Sequence, residues 1–236
     1  MAAERREVGA QAFAEMARRL RPQDSVRQTL DEIVALAVEM IDGCDEAGVT
    51  LVLRRGTRRW IETTAGTGEL VAEADALQYE LGEGPCLEAV SEMHTLTVED
   101  MAHETRWPTY APAATRLGVR SALTFQLFTD DNTLGALNLY SRRPRAFDRP
   151  AHEVGTVLAA QAAVAVSGAR TEEQLREAIN TRQIIGQAIG ILMERRRITA
   201  DQAFDLLRRT SQDRNLKLRD LAERVAATGE APESER

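Results

Sequence analysis

The hydrophobic pattern of the chain begins with two helices. A first helix is expected from about residue 4 to residue 20, because Pro22 follows and cannot continue it. In the second helix, apolar residues recur at helical spacing from Val26 to Ile41, and Asp24 or Ser25 can cap its first turn. The second helix is therefore predicted to bury a broad apolar stripe.

Alternation of apolar and polar residues then predicts the strands of a sheet. Val49, Leu51 and Leu53 share one face of a first strand, and RRWIETT at 58–64 forms its hairpin partner. Two later strands carry matching apolar faces and are joined by a turn at 130–132. The strands are predicted at 49–53, 58–64, 95–100, 119–128 and 133–141, and helices at 69–81, at 85–92 after the turn GEGP, and at 107–118.

From Asp148 the strand pattern is replaced by one long helix with no proline after Pro150. A heptad seam fits this helix in alternating steps of four and three residues, which predicts a signalling helix that pairs with a second copy as a parallel homodimer. Gly168 interrupts the seam, and its backbone freedom predicts a flexible joint. The seam consists of Val157, Gln161, Val164, Gly168, Thr171, Leu175, Ala178, Arg182, Ile185, Ile189 and Leu192.

Two shorter helices follow and are predicted to form a small bundle with the end of the long one. Thr199 and Gln202 form a capping box at the start of the second helix, and Gly229 can terminate the third. Gly186 and Gly190 are expected to permit close approach of the helices. The predicted core combines Ile185, Ala188, Ile189 and Leu192 with Ala203, Phe204, Leu207, Thr210 or Ser211, and with Leu218, Leu221, Ala222 and Val225.

The net charge of −7 argues against a protein that coats nucleic acid along its whole surface. From Arg182 to Arg219, however, nine basic residues face only four acidic ones, a local excess of five. One basic region in an acidic chain indicates a localised anionic partner. The alternative is that these arginines solvate exposed helix faces, and charge alone does not separate the two interpretations.

Neither a membrane span nor a secretory signal is visible in the sequence. No apolar run approaches the roughly 20 residues that a spanning helix needs, and the N-terminal segment lacks an uninterrupted apolar stretch. We therefore expect a cytoplasmic protein without membrane contact.

The stretch from Arg182 to Val225 resembles the ANTAR domain of bacterial transcription antiterminators. The resemblance is carried by GILMER, ITADQAF, LLRRTSQ and NLKLRDLA, which stand in register over the whole three-helix unit. Ile189 departs from the pattern, because many relatives have lysine there, and one potential phosphate contact is thereby absent. The resemblance implies a module that binds RNA stem-loops of nascent transcripts.

The stretch from Val26 to Gly168 resembles a GAF domain, through its element order, the GEGPCLEAV turn and helix, and the terminal AFDRPAHEVGTVLAAQAAVAV helix. The resemblance implies an α+β fold, a GAF-type antiparallel sheet flanked by helices, then a long helix into a small three-helix ANTAR bundle. In relatives the GAF domain senses a signal, which can be a small molecule. The expected division is an N-terminal helix at 1–25, a GAF-like sensor at 26–168, a helical linker at 169–181, an ANTAR domain at 182–228 and a flexible tail at 229–236.

The resemblance and the local charge together give the candidate RNA-binding residues. Phe204 is in phase with the core, so we expect arginine side chains to contact the RNA without an aromatic platform. Neutral side chains are the candidates for reading bases. The candidates are Arg182, Arg195, Arg196, Arg197, Arg208, Arg209, Ser211, Arg214, Asn215, Lys217 and Arg219.

Two other functions compete with RNA binding. A DNA-binding helix-turn-helix is disfavoured because Ala200 and Asp201 offer little at the start of the second helix for reading a major groove. A GAF-type redox enzyme would depend on Cys86, whose position at a helix start could lower its thiol pKa, but a packing role is favoured for this cysteine. The three histidines show no metal-ligand spacing, and the sequence indicates no catalytic residue, cofactor or nameable ligand.

Overall fold

The computed structural model describes residues 14–20, 25–55, 57–92, 95–129 and 132–230. The chain divides between Arg170 and Thr171 into two compact units, which we term the sensor unit and the output unit. Residues 14–19 are helical, while the predicted start of that helix at 4–13 and most of the turn at 130–132 lie outside the described residues.

Five strands and the helices α1 to α4 form the sensor unit, together with the first part of a long helix, α5. Ser25 caps α1, as expected, by accepting a hydrogen bond from the backbone N–H of Gln28. The predicted helices at 69–81 and 85–92 are confirmed with the same bounds. The elements are α1 (Val26–Met40), β1 (Glu46–Arg55), β2 (Arg58–Gly66), α2 (Glu69–Leu81), α3 (Pro85–Glu92), β3 (Thr95–Val98), α4 (Tyr110–Leu117), β4 (Ser121–Thr129), β5 (Asn132–Ser141) and α5 (Arg149–Arg196).

The sheet is antiparallel throughout and has the strand order β2-β1-β5-β4-β3. The predicted matching of the last two strands is confirmed, because Leu123 pairs with Leu139 and Phe125 with Leu137. Both faces of β4 and β5 are buried over most of their length. The α+β fold is therefore the one that the sequence predicts.

Helices cover both faces of this sheet. On one face, the leucines and Phe125 of β4 and β5 pack with α1 and with the alanine-rich start of α5 in one core. On the other face, Tyr140 of β5 packs with α2 and α4, and Cys86 of α3 packs on Val52 and Ala136. Side chains of alternating orientation on one strand thus enter two different cores.

The long helix α5 runs from Arg149 to Arg196 without interruption. It passes through Gly168, so the predicted joint has helical backbone in this structure. A Cβ atom added at Gly168 would have no neighbour within 4 Å. The residues of α5 in the core with the sheet are Ala151, Leu158, Ala159, Ala162, Ala163 and Val166, all of them buried.

The output unit contains the rest of α5 with α6 (Ala200–Asp213) and α7 (Leu218–Thr228). The capping box of Thr199 and Gln202 and the left-handed Gly229 after α7 are confirmed. The core is Ala188, Leu192, Ala203, Leu207, Leu221, Ala222 and Val225, with Ile185 and Ile189 half-buried against it.

Two predictions about this core were wrong. Phe204 is 39% exposed, because Ala203 and Leu207 occupy the positions of α6 that face the core. Gly186 and Gly190 do not mediate close packing, since a Cβ atom added at either would meet nothing within 4 Å. The helices meet through alanine and leucine instead.

Gly135 and Gly168 should respond oppositely to replacement by alanine. Gly135 has φ +157°, and a Cβ atom there would lie 1.8 Å from the carbonyl oxygen of Thr50 on the neighbouring strand, so Gly135→Ala should strongly destabilise the sensor unit. Gly168→Ala should stabilise α5 by about 0.5–1 kcal/mol. Thermal unfolding by circular dichroism compares the two, and a Gly135→Ala variant as stable as wild type would contradict the close approach.

Candidate nucleic-acid interface

The basic residues of the output unit differ in whether a carboxylate already neutralises them. Arg208 bonds Asp205 at 2.9 Å, and Arg219 bonds both Glu223 at 2.9 Å and Glu177 at 3.2 Å. Over residues 171–230, which the structure describes, no ion pair is found for Arg182, Arg196, Arg197, Arg209 or Lys217, and all five are exposed. These five candidate cations are available to an anion.

The basic residues lie at two ends of the bundle. The contact between Arg219 and Glu177 places the start of α7 beside the part of α5 with which the output unit begins, near Arg182. At the other end, the guanidinium of Arg195 lies beside Gly229, the residue directly after α7. A Cβ atom added to Gly229 would be 2.8 Å from this guanidinium. Arg182 and Arg196 are 14 residues apart on one helix, or about 21 Å. An anion that contacts both ends must therefore be extended.

Three candidate residues have roles within the fold. Arg195 lies at the C-terminus of α7, where its charge complements the helix dipole. The hydroxyl of Ser211 donates to the carbonyl oxygen of Leu216 at 2.6 Å, so it is occupied. Asn215 has φ +50°, a left-handed conformation that asparagine tolerates better than most residues. These roles weaken the case for Ser211 and Asn215 as readers of bases.

Arg197 also adopts a left-handed conformation, with φ +52°, directly after α5. Glycine is the usual residue at such a helix end, and a side chain there costs roughly 1–2 kcal/mol. Among residues 171–230, which the structure describes, no side-chain hydrogen bond or ion pair of Arg197 offsets this cost. Its exposed guanidinium is thus a candidate for contact with a partner.

Phe204 lies in an open groove of about 990 Å³ within the output unit. Along α5 the groove is lined first by Leu175, Ala178 and Ile179 and then by Arg182 and Gln183, towards Ile185. Ile185 packs in the core that includes α6, the helix that carries Phe204. Leu175 and Ile179 are 60% and 59% exposed. The helical pattern alone did not indicate this groove, because it placed Phe204 in the core.

The sensor unit contains a polar cluster around the fully buried Asp75 of α2. Its carboxylate accepts hydrogen bonds from hydroxyl and amide groups and, among the residues that the structure describes, from no cation. Burial raises the pKa of Asp75, and these hydrogen bonds oppose the rise. The donors are the hydroxyls of Tyr140, Thr63 and Thr50 and the amides of Gln78 and Asn138.

Cys86 is completely buried, and burial, together with the negative charge of Asp75, raises the pKa of its thiol to about 12. The helix start therefore does not lower this pKa, and the packing role that the sequence favoured agrees with the burial. The backbone N–H of Cys86 at that helix start is bonded instead to the side chain of Gln78 at 2.8 Å. The thiol has the environment of a packing residue.

Within the described ranges, no cluster of three or more His, Cys, Asp or Glu side chains could hold a metal ion. Over the same residues, no helix has the length and apolar character needed to cross a membrane. His94 lies outside the described part of the chain.

Family models match both units of the chain. The model for the GAF domain matches residues 23–167, more than half of the chain, and the model for the ANTAR domain matches residues 173–225. The chain belongs to the GAF-ANTAR regulators. The sensor unit is a GAF domain, a signal-sensing module, and the output unit is an ANTAR domain, an RNA-binding module of transcription antitermination. This domain architecture is that of a regulator.

Solved structures share the fold of the GAF domain. The GAF domain of a phosphoenolpyruvate-protein phosphotransferase from Coxiella burnetii has a TM-score of 0.56 at 14% identity, and the alignment covers 70% of this chain and 96% of that one. The corresponding domain from Acinetobacter has a TM-score of 0.52 at 16% identity, with the same coverage. A free methionine-R-sulfoxide reductase from Neisseria meningitidis has a TM-score of 0.53 at 18% identity over 68% of this chain and 89% of that one. A search of curated proteins found no match.

Asp75→Asn should change how the stability of the GAF domain depends on pH. The pKa of Asp75 is higher in the folded state than in the unfolded state. Its contribution to the stability of the folded domain is therefore fully present below the unfolded-state pKa of about 3.9, and it is lost as pH rises through the folded-state pKa. The variant should therefore gain stability over wild type by up to about 1.4 kcal/mol per pH unit within that window. Urea unfolding followed by the fluorescence of the buried Trp107 measures this difference.

Asp75→Ala is the control for this experiment. An asparagine can keep the acceptor for Tyr140 while its amide donates to Thr63, whereas alanine leaves several buried donors unbonded at roughly 1–3 kcal/mol each. Alanine should destabilise the domain at every pH. Parallel pH profiles for wild type and Asp75→Asn would contradict the raised pKa.

Proposed function

We propose that this protein is a cytoplasmic, signal-responsive regulator that promotes transcription antitermination by binding paired RNA stem-loops through its ANTAR domain. Two ANTAR domains in a homodimer engage two stem-loops of a nascent transcript, so that a terminator hairpin does not form. Binding requires no covalent chemistry. The observation that carries the proposal is the set of five exposed cations without an ion pair in a family of RNA-binding modules.

The shape of the basic surface supports RNA over a DNA major groove. The start of α6 offers Ala200 and Asp201, and Asp201 would repel phosphates where a recognition helix enters a groove. The unpaired cations lie instead at the two ends of the bundle, apart from Arg209, which is on α6. Phosphates of a folded RNA can approach such scattered positions from several directions.

The exposed apolar residues of α5 support the homodimer. Val164 is 68% exposed in the GAF domain, and Leu175 is 60% exposed in the ANTAR domain. Both occupy positions of the predicted seam, where large apolar side chains in water favour burial by a second helix. Ile185, Ile189 and Leu192 pack into the ANTAR core of their own chain, so the seam that we assign to the second copy ends at Ala178.

The signal is proposed to act at the GAF domain, where a groove of about 440 Å³ lies beside β2. Arg27, Thr63 and Tyr79 line it, and the hydroxyls of Thr63 and Tyr79 lie 2.7 Å apart. Thr63 also donates to Asp75 at 2.7 Å. A small polar ligand in this groove could thus change the hydrogen bonding of the buried cluster.

Competition in a gel shift tests the proposed function. Labelled transcript leader RNA that contains two adjacent stem-loops is mixed with the full chain, and unlabelled RNA or duplex DNA of the same sequence is added. RNA should displace the probe at concentrations where duplex DNA does not. Equal competition by DNA would support the DNA-binding alternative, and absence of any shift would refute both.

Arg208 and Arg209 form a matched pair for testing the interface. They are adjacent and both exposed, but only Arg208 is paired with a carboxylate. Phosphate contact by Arg209 releases counterions, so Arg209→Ala should reduce the salt slope of RNA binding by about 0.7, and Arg196→Ala should do the same. Arg208→Ala should reduce the slope less. Affinity is measured at several salt concentrations.

Thermal unfolding supplies the control for these variants. The melting temperature should stay near that of wild type for Arg196→Ala and Arg209→Ala, because neither residue makes an ion pair within the bundle. Arg197→Gly should lower affinity and raise the melting temperature, since glycine relieves the left-handed conformation. Unchanged salt slopes with lower melting temperatures would show that these arginines serve the fold.

Substitution in the exposed seam should dissociate the homodimer without unfolding the chain. Val164→Asn with Leu175→Asn removes apolar contacts between copies, and we expect the dissociation constant to rise at least about tenfold. Met193→Asn is the control, because Met193 is 39% exposed on the same helix outside the seam. Light scattering that finds wild type monomeric at tens of micromolar, with and without RNA, would contradict the seam.

A further inference from the structure

We infer that the groove end formed by Phe204, Arg182 and Gln183 is a site for one unstacked base of an RNA loop. The base stacks on the ring of Phe204, and Arg182 binds the adjoining phosphate. This inference rests on the proposed binding of RNA and assigns a recognition role to Phe204, which the pattern of the sequence placed in the core.

The position of Phe204 makes it a well-defined platform. It lies in the second turn of α6, whose start is held by the capping box of Thr199 and Gln202. Its neighbour Ala203 is buried in the bundle core, so the helix cannot rotate to bury Phe204 without exposing that core. The backbone that carries the ring is therefore fixed by the packing of α6, while 39% of Phe204 stays exposed.

The chemistry of the groove end suits a nucleotide. An aromatic ring can stack with any base, and a guanidinium can bind phosphate. The exposed Gln183 offers an amide that can both donate to and accept from a base edge. Arg182 is free for this contact, because no ion pair is found for it among residues 171–230.

A second copy of the chain is the competing occupant, and Arg182 argues against it at this end. In a parallel pair each seam residue faces its own copy, so two Arg182 side chains would meet and repel. The next seam residue, Ile185, packs against the core of its own chain. The second copy thus covers the end with Leu175 and Ala178, and the end with Phe204 stays open to RNA.

The test uses the tightest-binding stem-loop that wild-type full chain selects from an RNA pool with a randomised loop. Phe204→Ala should weaken its binding by about five- to 150-fold, the range for loss of one stacked base. Phe204→Tyr should retain binding within about threefold. Abasic nucleotides, which keep the phosphate and remove the base, are then placed at each loop position in turn.

At one loop position, the abasic RNA should bind wild type and Phe204→Ala equally, because the stacking partner is already gone. Met193→Ala is the matched control, since it removes an exposed apolar side chain of the same domain outside the groove. If Phe204→Ala weakens binding equally for every abasic RNA, or leaves binding unchanged, the inference is overturned. If light scattering shows that the loss follows dissociation into monomers, the groove belongs to the second copy.

Selection also separates this inference from the proposed function. If wild type enriches no RNA from the pool, RNA binding itself fails, and the base site fails with it. If wild type enriches stem-loops and Phe204→Ala binds them as well as wild type does, only the assignment of Phe204 is wrong.

Discussion

One helix has to bury two different stripes, and the rest of the molecule depends on that constraint. The first part of α5 covers the sheet with Ala151, Leu158 and Val166, while its last part supplies Ala188 and Leu192 to the ANTAR core. Between and beside these stripes, Val164 and Leu175 remain in water. The surface available to a partner is therefore what the two cores leave uncovered, and it ends where the ANTAR core begins.

Local signals made much of the fold predictable. Helix caps and turns have characteristic residues in the sequence. The bounds of α2 and α3 and the start of α6 therefore lie where Gly, Pro and Thr199 predict them. Burial at the edge of a helical stripe is less predictable. Ala203 and Phe204 are neighbours, and a period of 3.6 residues admits either of them to the core. The structure buries the small residue, Ala203, in one core with Leu207 and Ala188.

In the candidate interface too, contacts between residues close in sequence are predictable, whereas contacts between residues far apart in sequence are not. The pairing of Arg208 with Asp205 follows from a spacing of three residues, but the contact of Arg219 with Glu177 joins positions 42 apart and needs the folded bundle. Asp75 lies on the same buried face of α2 as Val71 and Gln78, so the helical periodicity of the sequence predicts its burial. Apart from Gln78 of α2 itself, the donors that satisfy it come from three strands, which no sequence pattern indicated.

The function proposed for the ANTAR domain requires that it bind structured RNA in transcripts. Crosslinking the full chain to RNA in growing cells, recovering the bound fragments and sequencing them identifies what it binds. We expect fragments with two neighbouring stem-loops that overlap a terminator, and loss of these fragments in the Arg209→Ala variant but not in Arg208→Ala. Recovery of RNA in proportion to its abundance, without shared structure, would contradict the proposed function.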